Sequence, residues 1–162
     1  MKRYSVYLSQ FVKPDTKIKV YDLYVNGKCL FEEFFEEINE EGNLTKDLFG
    51  AINILEKAAD LLMLPQTKFK VLKQSEVSCK VYEAKKNKVR IYCFEDEVGR
   101  IIVTGGKKNS QKHDIKSVLN LIKEYNGRKK NILKSSKILP IGLKKLITKC
   151  MMQWLDIWKQ TT

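Results

Sequence analysis

A chain of 162 residues with 43% apolar side chains is long enough for one cored domain with extensions and too apolar for wholesale disorder. Its 31 lysines and arginines against 19 acids give a formal net charge of +12, which points to a polyanionic partner, nucleic acid first. No apolar run approaches the roughly 20 residues that span a bilayer. Residues 1–11 have basic side chains but no sustained apolar stretch, so neither a membrane span nor a signal peptide is expected, and the cytoplasm is the expected compartment.

The charge is unevenly placed. Residues 17–66 carry 5 basic and 10 acidic side chains, residues 67–115 carry 12 and 6, and residues 126–162 carry 9 and 1. A basic sheet and tail on a partly acidic helical layer predict that one side of the molecule meets the polyanion. Plain solubility charge is the competing reading.

Residues 1–16 read as a strand and a loop, because Tyr4, Val6 and Leu8 alternate with Ser5, Tyr7 and Ser9, and Pro14-Asp15 marks a turn. Residues 17–25 form a second extended run through Ile18, Val20 and Leu23, closed by the hairpin-turn pair Asn26-Gly27. Residues 31–38 predict a helix with Phe31, Phe34, Phe35 and Ile38 on one stripe and six glutamates, Glu32 to Glu41, on the outer face. Gly42 stops it. Asn43 or Thr45 can cap a second helix, to about residue 63, on Leu48, Ile52, Leu55, Ala59 and Leu62. The pair reads as a helical hairpin laid on a sheet, its phenylalanines serving as core.

Residues 69–72 open that sheet, and the runs 80–84, 89–94 and 101–104 complete it. The separators 85–88 and 95–99 are short enough for hairpins. Gly105-Gly106, Lys107-Lys108 and the single histidine, His113, follow at the sheet's end. Residues 115–125 predict a helix on Ile115, Val118, Leu119 and Ile122, its backbone donors available to a phosphate. Cys29, Cys79, Cys93 and Cys150 include no C-x-x-C pair, and one histidine completes no zinc-finger pattern, so buried thiols are expected. A first hairpin symmetric about Lys86 would set Cys79 opposite Cys93. A disulfide there is disfavoured in a cytosol.

Residues 126–137 are polar and basic and read as a linker. Beyond Pro140, Leu143, Leu146, Ile147, Cys150, Met151, Trp154, Leu155 and Trp158 recur at three and four, with Lys144, Lys145, Lys149 and Lys159 opposite. A basic amphipathic helix is therefore expected in residues 138–162. Its apolar face would dock on its own domain, on a protein partner or on a membrane surface.

The ordered set Val81-Tyr82-Glu83-Ala84-Lys85, Val89-Arg90-Ile91-Tyr92 and Lys107-Lys108-Asn109-Ser110-Gln111-Lys112 resembles the RelE/HigB-type superfamily of bacterial toxins, in its phage-related branch. Lys85 stands where many members have arginine, and His113-Asp114 replaces a usual Thr-Pro. The resemblance implies an α+β fold: a small antiparallel sheet with a mixed edge, a two-helix N-terminal hairpin packed on it in a RelE-like arrangement, and here an added C-terminal amphipathic helix. The expected division is a toxin domain over residues 1–125 with its core at about 17–125, a linker over 126–137 and the helix over 138–162. The resemblance also implies a metal-independent, cofactor-free endoribonuclease that cleaves mRNA on the ribosome, with a helix-turn-helix antitoxin as partner.

Cleavage by the 2′-hydroxyl needs a proton acceptor, cations to hold the phosphorane and an acid for the 5′-oxygen. The resemblance assigns these to lysine, arginine and tyrosine, and in some members histidine or aspartate, on one concave sheet face. Arg90, Lys85, Lys108 and His113 are the expected catalytic set. Lys80, Tyr82, Lys107 and Lys112 are the expected RNA contacts. Arg90 suits the phosphate because its fork binds two oxygens at once, and a charge turned into the core would be costly. His113 is the single histidine, the residue type most used for proton exchange. Gly105-Gly106-Lys107-Lys108 lacks P-loop spacing, and carboxylates do not cluster on the basic stretch as a metal-dependent nuclease requires. Two other readings compete: a non-enzymatic ParE-type gyrase inhibitor on the same fold, and a basic RNA- or ribosome-binding module.

Overall fold

The extended runs assemble into one mixed sheet, seen in a computed structural model that describes residues 1–138, with side chains to residue 130. Strands open the chain. β1 (Tyr4–Leu8), β2 (Val20–Val25) and the short β3 (Lys28–Cys29) precede α1 (Leu30–Glu41) and α2 (Thr45–Ala59), so the helical pair expected as an N-terminal hairpin follows three strands. Next come β4 (Phe69–Val71), β5 (Val81–Lys86), β6 (Val89–Asp96) and β7 (Gly99–Lys107), then a 3-10 turn (Lys108–Ser110) and α3 (Gln111–Ile138). The protein is α+β.

The sheet order is β1-β2-β7-β6-β5-β4, with β3 on β2. Every pairing is antiparallel except β2 with β7, which run parallel from Val20↔Arg100 to Asp22↔Ile102. The parallel pair lies inside the sheet, not at its edge. It forms because the chain leaves β2, crosses through the helices and the antiparallel meander, and returns alongside in the same direction.

α1 is amphipathic as its stripe requires. Phe31, Phe34 and Ile38 are buried, and Gly42 ends it at φ 77 while donating its N–H to the Ile38 carbonyl (3.0 Å). The cap position of α2 is Leu44, with no side-chain cap bond, so neither Asn43 nor Thr45 fills that role. α2 stops at Ala59, short of residue 63, because Leu61 turns left-handed (φ 62) and Leu62 donates back to the Lys57 carbonyl (3.0 Å), closing the last turn. Both helices pack on one face of the sheet. Phe31, Ile38, Leu48 and Leu55 meet Ala84, Val89, Ile91 and Cys93 in a single apolar cluster. Each fully buried side chain of this size contributes about 1.5–3 kcal/mol.

The first hairpin is centred between Asn87 and Lys88, not on Lys86. Asn87 takes φ 49 and makes a two-residue turn, which sets Lys86 against Val89 and Cys93 against Tyr82. Cys79 therefore does not face Cys93. Among the described residues Cys29, Cys79 and Cys93 form no disulfide.

Two units divide the chain, Met1–Lys123 and Glu124–Thr162. The stretch 126–137, expected as a linker, is helical within α3. Arg128, Lys129 and Lys130 are good helix formers, and Gly127 costs only about 1 kcal/mol. The amphipathic helix expected in residues 138–162 lies outside the described residues. Among the described residues no helix is long and apolar enough to cross a membrane.

Candidate functional site

Strand alternation decides which expected residues meet. On β5 and β6 the helix-covered face carries Tyr82, Ala84, Val89, Ile91 and Cys93. The opposite face carries Glu83, Lys85, Arg90 and Tyr92, paired as Glu83↔Tyr92 and Lys85↔Arg90. Arg90 and Tyr82 thus sit on opposite sides of the sheet. Tyr82 is buried beside α2's layer, stacked on Phe69 at 5.1 Å, with the Arg100 guanidinium 4.8 Å from its ring centre. Burial raises its phenol above the usual range.

Arg90 is 2% exposed. Its Nη1 donates to the Asn87 carbonyl at 2.6 Å and to the Val89 carbonyl at 3.1 Å. Its Nε lies 3.9 Å from Glu83 Oε1. Glu83 is wholly buried, yet both of its oxygens face cations or donors: Lys70 Nζ at 3.3 Å from Oε1, and Gln111 Nε2 donating to Oε2 at 2.6 Å. Arg90 thereby ties down the turn that presents Lys88, and Glu83 ties Arg90 to the first turn of α3. Tyr92 completes the cluster. Its hydroxyl has no hydrogen-bond partner among the described residues, and burial followed by the Glu83 and Asp114 charges raises its phenol strongly.

The first turns of α3 reach this face because β7 is thinned by two glycines. A Cβ on Gly105 would lie 2.1 Å from the Phe34 ring of α1, and a Cβ on Gly106 would lie 2.2 Å from Asp114 Oδ2 of α3. Adjacent residues thus admit one helix from each side. Asp114 is held by Ser110, whose Oγ donates at 2.6 Å.

Two hollows adjoin this point. One, of about 630 Å³, is lined by Lys88, Lys107, Lys108, Asn43, Asn87, Asn109, Leu44 and Glu41. The other, of about 330 Å³, includes His113, Asp114, Glu33 and Glu37 with the apolar Phe34 and Val118. Lys107 joins them. Its Nζ donates to Glu41 (2.8 Å) and Glu37 (3.2 Å), and those bonds raise its pKa. Lysine ammoniums and asparagine amides in the first hollow can hold a phosphate. His113, exposed on α3 and not ahead of the helix as expected, sits in the second.

Of the remaining expected residues, Lys85 is half-buried beside Arg90, Lys112 is exposed on the first turn of α3, and Lys80 is exposed one residue before β5. The structure therefore brings Lys107 and Lys108 together, puts Arg90 with Lys85 on the other face of the sheet, and separates Lys80 and Tyr82 from Lys107 and Lys108. Reasoning on residue type missed Glu83, Tyr92, Gln111, Asp114 and Lys88. Parity was the available signal for the first two, since Glu83 and Tyr92 alternate onto Arg90's face. Among the described residues no three histidine, cysteine or acidic side chains are grouped to hold a metal ion. Comparison of the chain with protein-family models, with curated proteins and with solved structures found no match.

Proposed function

We propose that the chain is a RelE/HigB-type toxin: a metal-independent endoribonuclease that cleaves mRNA on the ribosome and is held in check in the cytoplasm by a helix-turn-helix antitoxin. The observation that carries this is the hollow in which Lys88, Lys107 and Lys108 converge with Asn87 and Asn109 at the end of β7. Three cations, of which Lys107 is held by Glu37 and Glu41, and three amides in one concave place are suited to a phosphodiester backbone. The stretch of β2, two helices, an antiparallel meander and a helix, with β1 and β3 added beside β2, supports the RelE-like arrangement. In this reading Lys88 and Lys108 contact the backbone, His113 in the adjoining hollow exchanges protons, and Arg90 holds the Lys88 turn.

The test is incubation of the purified chain with ribosome-bound mRNA in the presence of EDTA. Defined cuts are expected, and intact mRNA would contradict the reading. One observation favours a second reading, a basic RNA-binding module without catalysis. Arg90, the expected phosphate ligand, is already engaged by Glu83 and two main-chain carbonyls. RNA binding without cuts would select that reading.

A further inference from the structure

The strongest feature outside the lysine hollow is the far edge of the sheet. β4 ends the strand order, and among the described residues no strand pairs with its outer side. Its hydrogen-bond phase is set by two bonds to β5: Lys85 donates to the Lys68 carbonyl (2.7 Å) and Leu72 to the Val81 carbonyl (2.8 Å). Residues 68, 70 and 72 therefore turn their main-chain groups inward, and Phe69 and Val71 turn theirs outward. The Phe69 N–H is used by the Pro65 carbonyl (3.1 Å). The Phe69 and Val71 carbonyls and the Val71 N–H remain as the outward set. A trough of about 750 Å³ runs along this edge, lined consecutively from Phe69 to Gln74 with Gln66 and Tyr82. Val71 is 51% exposed beside it.

We propose that β4 is a docking edge for an extended acidic segment of a partner protein, which adds to the sheet as a further strand. Main-chain bonds to Phe69 and Val71 supply the pairing, and the trough takes alternate side chains. The lysines select the occupant. Lys68, Lys73 and Lys80 are exposed around the edge, and Lys70 is already paired to Glu83. A second copy of the chain would bring like charges face to face across an antiparallel pair, whereas an acidic strand would meet each with its opposite. This edge is separate from the lysine hollow and does not depend on what that hollow binds.

The probe is a labelled, soluble alternating Thr-Glu peptide, titrated into the full chain and followed by fluorescence polarisation and by hydrogen exchange of the Val71 amide. Saturable binding that protects Val71 is expected, together with at least about tenfold weaker binding for the matched Thr-Lys peptide. Val71→Pro removes the outward donor without touching the β5 ladder, and should weaken the Thr-Glu peptide at least about tenfold. Should that variant unfold, the same loss is expected on the unaltered protein with a peptide N-methylated on its pairing edge. Four results would overturn the proposal: no binding at about 1 mM peptide, equal binding of the Thr-Lys peptide, displacement of the peptide by single-stranded RNA, or self-association of the chain that buries the Val71 amide.

Discussion

On one face of the sheet, Phe31, Ile38, Leu48 and Leu55 meet Ala84, Val89 and Ile91, and burial alone holds them. On the other, Glu83, Arg90 and Tyr92 are equally buried beneath the first turns of α3, and there burial works against them. A buried carboxylate and guanidinium are tolerable only when each compensates the other, so this polar cluster, set beside the buried Val81, Phe94, Val118 and Ile122, is held by geometry: the Asn87 turn, the Gln111 amide and the glycine at 106. The two faces teach that equal burial carries opposite risks. The apolar face fails through lost volume. The polar face fails through a lost partner.

The largest effects should separate the two. Phe31→Ala is expected to cost about 3–5 kcal/mol by opening a cavity. Glu83→Ala removes fewer atoms but should cost a similar ~3–5 kcal/mol, because it strands Arg90 without a counter-charge. Urea unfolding reads both. They part company in the pair Glu83→Met with Arg90→Met, which should recover most of the stability that Glu83→Ala loses. A pair as unstable as Glu83→Ala would mean that the polar contacts themselves hold this face together.

A smaller effect tests the exception on the apolar side. Asp22 shares Val20's side of β2 by alternation, is buried, and has its carboxyl raised to about 6, first by burial, against a lowering hydrogen bond from Ser9. Because folding favours the protonated form, the stabilisation is present below about pH 4 and disappears as pH rises through 6. The stability of the native protein relative to Asp22→Asn should therefore fall by about 3 kcal/mol at most over that interval. A difference that stays flat with pH would place Asp22 in contact with water.

Periodicity made the helices and the extended runs legible, because Phe31, Phe34 and Ile38, or Val89 and Ile91, repeat at spacings that only one kind of element buries. It did not reveal the hairpin's centre, which depends on Asn87 adopting a left-handed conformation. That local choice moved Cys93 opposite Tyr82. Arg90 was expected at the surface because a lone buried charge is costly. The expectation missed that Glu83 alternates onto the same face and offsets that cost. Lys107 and Lys108 were legible as a basic pair, but their company was not. Lys88 reaches them from a turn, and Glu37 and Glu41 reach Lys107 from a helix distant in sequence.

Lys88 and Lys108, and not Arg90, are the cations expected to touch RNA. The measurement is RNA affinity against salt concentration for three proteins: the native chain, Lys88→Ala with Lys108→Ala, and the apolar pair Glu83→Met with Arg90→Met. Removing the two lysines should flatten the slope of log affinity against log salt by about 1.4, two phosphate contacts at roughly 0.7 each, with the melting temperature unchanged. Replacing the buried pair should flatten the slope by at most about 0.7, because Arg90 positions Lys88 and touches no phosphate itself. A slope that flattens with the buried pair and not with the lysines would contradict the account and return Arg90 to the phosphate.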